Sequence, residues 1–352
     1  MDHRATLAPG DIRRARRDNA KMRERDLASQ LGISEAQLVA AHCGEGVVRI
    51  EPDVAALLNG LESVGEVMAL TRNESAVHEK IGVYDKVVVG GQNAMVLGTD
   101  IDLRIFPKVW AHGFAVEKRD GEEVRRSLQF FDAAGEAIHK VHLRPASNLD
   151  AYDELVARLT AADQSPELAP AAEAGNDNVD REEPSDLTVL RDRWSSMTDV
   201  HQFVGILRDL KLTRHQAVNA IGEDFAWMLD LDALQAMFAN AVNEELPVMC
   251  FVGNRGCIQI HSGPIRNVKP MGPWINVMDP TFHLHLRADH VRELWAVRKP
   301  AGDGHVTSIE AYGADKKMII QFFGKRHEGQ AERPDWRMLA EGLPRAARTT
   351  AA

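Results

Sequence analysis

The sequence has little of what marks a secreted, membrane-spanning or nucleotide-dependent protein. It holds three cysteines, Cys43, Cys250 and Cys257, in 352 residues. A sparse, odd count excludes a disulfide framework and fits a reducing compartment. Cys250 and Cys257 lie close together but have no second pair, so a structural zinc site lacks ligands. No apolar run approaches the roughly 20 residues that a spanning helix needs. The opening stretch MDHRATLAPGDIRRARRDNAK lacks the apolar segment of a secretory signal, so a cytoplasmic location is expected. The formal net charge of −10 offers no overall field to attract nucleic acid or an anionic membrane. G-x-S-x-G, the P-loop, G-x-G-x-x-G and H-E-x-x-H are all missing, which removes the common hydrolase and nucleotide signatures.

What is present begins with length and hydrophobicity. A chain of 352 residues that is 44% hydrophobic can build two cores without covalent help. Near its middle, residues 161–184 read AADQSPELAPAAEAGNDNVDREEP, with almost no large apolar side chains. Such a segment buries too little to offset the cost of ordering it, which predicts a linker. The expected domains are therefore 1–160, a linker over 161–187, and 188–352.

The two halves are alike. At one fixed separation along the chain Val67-Met68 meets Val248-Met249, Asn73 meets Asn254, and Ala115-Val116 meets Ala296-Val297. Ungapped from 67 to 144 there are 15 identities in 78 positions, against roughly 5 expected by chance. This reads as an internal duplication. Each half begins with helical periodicity, over 11–43 and 199–241, as in Val200, Phe203, Val204, Leu207 and Leu210. Short alternating runs rich in Val, Ile and Phe follow, broken by Gly, Asn and Asp, the pattern of an antiparallel meander. Helices segregated from strands imply an α+β fold.

Among 14 histidines, His283 and His285 share one strand face and lack a third ligand, so a polar strand face competes with a metal pair. His139 and His142, three apart on a strand, face opposite sides. His201, in SSMTDVHQFVGILRDL, follows Thr198-Asp199, which resembles a helix N-cap. The positive end of a helix dipole disfavours imidazolium, and neutral imidazole is the form that binds metal. The position suits a ligand and an ordinary exposed histidine alike. Arg214, His215, Lys299, Gln321, Lys325 and Arg326 supply polar and cationic groups, and Phe251, Phe322 and Phe323 flat apolar area. Together these suit a large flat ligand with anionic tails.

Three stretches carry a resemblance: TRNESAVHEKIGVYDKV with IDLRIFPKVWAHGFAVEK, the DVHQF segment, and MIIQFFGKR. With these the chain resembles the bacterial hemin-degrading and cytoplasmic haem-transport family over nearly its whole length. The resemblance implies tandem repeats, each with helices and a large antiparallel sheet, the two sheets stacked, and haem (iron protoporphyrin IX) in a cleft of the C-terminal repeat. It implies His201 as axial ligand, Arg104 as distal group, Arg214, Lys299, Gln321 and Arg326 as cleft and propionate contacts, and Phe251 in the wall. A tyrosine of relatives appears here as Phe323, which puts a hydroxyl contact at the haem edge in doubt. Arg104 aligns with His285, and His201 with Met22, so one strong haem site per chain is expected. His78 remains a weaker candidate for an accessory site; its ordinary reading is a surface histidine.

The function implied is trafficking of haem in bacterial haem uptake and iron acquisition, from an inner-membrane importer to an oxygenase or other acceptor. The alternative is a haem-degrading, oxygenase-type enzyme that releases iron using external electrons. A lesser alternative is a DNA-binding regulator. RDLASQLGISEAQLVAAH has a helix-turn-helix rhythm, with Ala28, Gly32, Ile33 and Leu38 in place, after a basic run that includes Arg13, Arg14, Arg16 and Arg17. The second half repeats that rhythm in LRDLKLTRHQAV, which favours a scaffold role.

Overall fold

The structure is a computed structural model that describes residues 7–169, 187–302, 304–327 and 329–347. The chain divides into two compact units. Unit 1 holds Met1–Arg72, Glu79–Gly175 and Asn254–Gln259; unit 2 holds Asn73–His78, Asn176–Gly253 and Ile260–Ala352. Among the described residues no helix is long and apolar enough to cross a membrane.

Unit 1 opens with α1 (Pro9–Asp18), α2 (Glu24–Leu31) and α3 (Glu35–Ala40), then β1 (Val47–Ile50) and α4 (Val54–Val64). The strands follow: β2 (Val67–Arg72), β3 (Ala76–Gly82, of which Glu79 onward belongs to this unit), β4 (Val87–Val89), β5 (Ala94–Leu97), β6 (Asp102–Ile105), β7 (His112–Asp120), β8 (Glu123–Phe131) and β9 (Ala137–Leu143), closed by α5 (Leu149–Leu159). Antiparallel pairing runs β1-β7-β8-β9-β2, with β4-β5-β6 as a separate meander. The core is built by alternation. In β2, Val67, Ala69 and Thr71 point inward while Met68, Leu70 and Arg72 are only half-buried. α4 is capped by the Asp53 carboxylate and turns Leu57, Leu58, Leu61 and Val64 into that core. Each such side chain contributes about 1.5–3 kcal/mol by leaving water.

Unit 2 repeats the plan: α6 (Leu187–Ser195), α7 (Gln202–Leu210), α8 (Arg214–Ala220), β10 (Ala226–Leu229), α9 (Ala233–Asn243), β11 (Val248–Gly253), β12 (Cys257–Gly263, of which Ile260 onward belongs to this unit), β13 (Val268–Met271), β14 (Trp274–Met278), β15 (Phe282–Arg287), β16 (Glu293–Ala301), β17 (Gly304–Tyr312), β18 (Met318–Gly324) and α10 (Pro334–Gly342). Pairing runs β10-β16-β17-β18-β11, with β13-β14-β15 as the meander. The duplication is therefore structural. β2, β3, β7, β8 and β9 match β11, β12, β16, β17 and β18 in length, and each pair begins and ends at the same fixed separation found in the sequence. The helices α3 and α4 precede α8 and α9 by slightly less, and the slip falls in the longer loop between α9 and β11.

The duplicated asparagines make equivalent turns. The Asn73 amide donates to the carbonyls of Gly253 and Ile319 while its oxygen accepts from the Ser75 and Ala76 amides. Asn254 does the same toward Arg72, Ile138, Gly256 and Cys257. These bonds attach Asn73–His78 to unit 2 and Asn254–Gln259 to unit 1, so the units are not the plain halves expected from sequence.

Two expectations meet structure here. The linker expected over 161–187 lies mostly outside the described residues, and its first part is tied down. Ala161 donates to the Arg49 carbonyl, Gln164 bonds both Arg49 backbone groups, and Leu168 packs on a small core with Val39 and Phe131. His78 is not a surface histidine: it is fully buried on β3, against the ring of Phe282.

Candidate functional site

The predicted ligand stands at the start of α7. Residues 198–201 form a turn, and helical geometry begins at Gln202, later than the cap expected at Thr198-Asp199. The Gln202 side chain accepts from the Thr198 and Asp199 amides, holding that turn. His201 takes the N-cap position itself, and its side chain is 73% exposed. One oxygen of Asp199 accepts from the His201 backbone N–H and meets its ring Nδ1, each at 2.7 Å. A carboxylate at Nδ1 places the proton there and leaves Nε2 with its lone pair outward. The bond from the His201 backbone, then that from its ring, hold the Asp199 carboxyl below the usual range, and Arg326 adds to this. Arg326 is thereby placed in the electrostatic neighbourhood of the His201 turn.

α7 is fixed by its buried face. Phe203 and Ile206 are buried, and Phe203 meets Trp194 edge-on at 4.8 Å. Behind Phe203 lies a polar knot. Arg214, first residue of α8 after the Thr213 cap, and Lys299 on β16 stand 5.1 and 5.0 Å from the Phe203 ring centre. Both bind Glu310 of β17, which has no exposed surface. Arg214 grips it through Nε at 2.8 Å and Nη2 at 2.7 Å, and Lys299 Nζ reaches it at 3.0 Å. Ser308, Tyr312 and Gln321 donate to the same carboxylate at 2.7, 2.6 and 2.8 Å. Strand geometry explains the convergence. Ser308, Glu310 and Tyr312 share one face of β17, and Gln321 is directly opposite Glu310 on β18. Burial alone would raise the Glu310 carboxyl, but Arg214 and Lys299 hold it well below its ordinary value. Burial pushes the Lys299 ammonium down to about 8 despite Glu310. Alongside, His215 bonds Glu293 at 2.7 Å and lies edge-on to Tyr312.

Three of the predicted anion-binding residues, Arg214, Lys299 and Gln321, are thus brought together, but on a carboxylate of the chain itself. Phe251 sits opposite Gln321 in the β11–β18 pair, its ring 5.3 Å from that of Phe323. Arg104 belongs to unit 1, on β6, and is ion-paired with Asp102. Sequence reasoning missed Asp199 as the partner of His201, and it missed Glu310. A lone acid between Ile309 and Ala311 in an alternating strand was the available signal. Two other histidines are occupied: His139 is buried between the Thr71 and Tyr84 hydroxyls at 2.8 and 2.6 Å, and His285 bonds Asn276. Among the described residues no group of three or more His, Cys, Asp or Glu could hold a metal ion. All six residues of α3 are buried, so the helix-turn-helix has no free recognition helix.

The family model of the haemin-degrading HemS/ChuX domain matches twice, at residues 32–159 and 211–343. The chain is 40% identical over 314 residues to the hemin transport protein HmuS of Yersinia pestis, covering 89% of this chain and 90% of that one. Among solved structures, holo-PhuS, a heme-binding protein from Pseudomonas aeruginosa, has 42% identity and a TM-score of 0.90, covering 97% of this chain and 100% of that one. The heme degrading enzyme ChuS of Escherichia coli O157:H7 has 35% identity and a TM-score of 0.87, covering 96% and 100%.

Proposed function

Because the chain belongs to the haemin-degrading HemS/ChuX domain family, we propose that it binds haem through His201 and passes it on. The observation that carries this reading is the His201–Asp199 pair. An exposed imidazole with Nδ1 engaged by a carboxylate presents Nε2 as an iron ligand. The residues fit the group: a nitrogen ligand, the aromatic surfaces of Phe251 and Phe323, and cationic side chains for propionates. Bound haem would supply an iron centre, which His201 would hold. The chain's part is to orient His201 through its Nδ1 bond to Asp199 and to offer charge to the carboxylate tails. Arg326, whose charge acts on Asp199, and the part-exposed guanidinium of Arg214 are the proposed contacts.

Exposure favours trafficking over permanent retention. A ligand at a helix start, three-quarters open to solvent, can be exchanged without unfolding a core. The 35% identity to a heme degrading enzyme supports a second reading, ring opening with external electrons. One experiment addresses both. Apo-protein is titrated with ferric haem, and the Soret band is followed for wild type and His201→Ala. Wild type is expected to saturate at one haem, with the band shifted or lost in the variant; no wild-type band would sink the proposal. Reductant under air then separates the readings. Bleaching to a linear tetrapyrrole that catalase does not suppress supports degradation, and transfer of an intact band to an acceptor supports carriage. Arg104 stays a separate candidate, and Arg104→Ala in the same titration decides whether it acts on the ligand.

A further inference from the structure

The carboxylate of Glu310 occupies the groups that the haem reading assigns to the ligand's own carboxylates. It has no exposed surface and accepts six hydrogen bonds, two of them from Arg214 and one from Lys299. Lys299 is 2% exposed, while the Arg214 side chain keeps 25% of its surface open. Arg214 is therefore the member through which an outside anion would feel the knot. With Arg214 and Lys299 positive and Glu310 negative, the cluster carries one net positive charge rather than two.

We propose that Glu310 sets how tightly the site holds an anionic ligand, acting as a built-in carboxylate that competes for Arg214 and Lys299. The inference rests on the haem reading and deepens it. A buried cation already paired with a carboxylate attracts a second one weakly. An uncompensated cation in the same low-dielectric surroundings attracts it strongly. The site thus keeps enough charge to orient a propionate but not enough to retain it. A protein that hands its ligand on needs that balance. The six donors make Glu310 hard to protonate or displace, so the competition is permanent. Glu310 does not touch the ligand in this proposal; it acts through Arg214.

The test is a charge series read with two probes, ferric haem and its dimethyl ester, which keeps the iron and ring but loses both anionic tails. Dissociation rates are measured by transfer to excess apo-globin, with circular dichroism and thermal melting to establish folding. Glu310→Gln leaves the Arg214 guanidinium without its paired carboxylate, and haem should leave at least about tenfold more slowly. Lys299→Met lowers the cluster's net charge to zero, and haem should leave faster than from wild type. The double variant should release haem more slowly than Lys299→Met. The ester should leave all of them at similar rates. If Glu310→Gln folds and releases haem at the wild-type rate or faster, the inference is overturned. It is also overturned if the ester follows the same order as haem, because the effect then comes from altered packing. If Glu310→Gln does not fold, Lys299→Met and the double variant carry the test, and equal release from these two overturns it. Absence of haem binding in wild type would instead remove the underlying reading, and that result is seen before any variant is compared.

Discussion

The equivalent corners of the two units hold buried charge in opposite senses. In unit 1, α3 starts with Glu35 after the Ser34 cap; in unit 2, α8 starts with Arg214 after the Thr213 cap, and both starts are capping boxes. Glu35 pairs with Lys140 of β9 and Arg72 of β2. Arg214 pairs with Glu310 of β17. At the strand positions, Gln129 of unit 1 stands where unit 2 has Glu310, Lys140 where it has Gln321, and Lys118 where it has Lys299. Glu24 of α2, which binds Lys118 at 2.5 Å, stands where unit 2 has Phe203. In unit 1 the helices bring the carboxylates and the strands the cations; in unit 2 the helix brings the guanidinium and the strand the carboxylate. A buried charge must be neutralised, but either element can supply the partner. Duplication preserved that requirement and freed the signs. Unit 1 closed its corner with paired ions, and unit 2 placed an aromatic ring under its cations, next to His201.

The comparison can be broken at several points. The largest effect is expected from His201→Ala, which should abolish the native Soret band, while Met22→Ala at the equivalent position leaves it unchanged; a titration of each checks this. Next, Glu35→Gln strands Lys140 and Arg72 in the interior. It should cost about 3–5 kcal/mol in urea unfolding, with haem titration of the surviving folded protein unaltered. Equal loss of haem binding would show that the corners are not independent.

A third prediction concerns acid. Burial pushes His139 down to about 3 and His142 to about 4, whereas Ile320 and Phe323 hold the equivalent places in unit 2. Both histidines are neutral when folded and take up protons near 6.5 when unfolded. Stability from this source is full above pH 6.5 and falls as pH drops toward 3. Urea midpoints between pH 7 and pH 4 should decline, and His142→Phe, which copies unit 2, should flatten the decline. The smallest effect expected is from Asp199→Asn, which keeps a hydrogen-bond acceptor but loses the charge. Haem affinity should weaken by about tenfold, read by competition with a chelating acceptor.

The scaffold was legible because its signals are local or repeated. Alternation in VMALTR and FHLHLR gives strands, and the fixed separation of matching residues reveals the duplication. His201 was legible through its motif. Its partner two residues earlier was legible only as a supposed cap, because the chain turns once more before the helix begins. The role of Glu310 was not legible. Its six hydrogen bonds come from five residues spread over α8, β16, β17 and β18, and sequence periodicity cannot say which strand lies opposite which. The same holds for His139, whose Tyr84 and Thr71 partners lie on other parts of unit 1.

By itself the sequence determined the repeat and the α+β class, because both rest on spacing along the chain, and its motifs carry the family resemblance. Only the tertiary structure decided what each buried charge binds. Which strands pair, and therefore which groups share a dry interior, depends on packing across distances that local spacing does not encode. For that reason Arg214, Lys299 and Gln321, read along the chain as contacts for a ligand, meet first on Glu310.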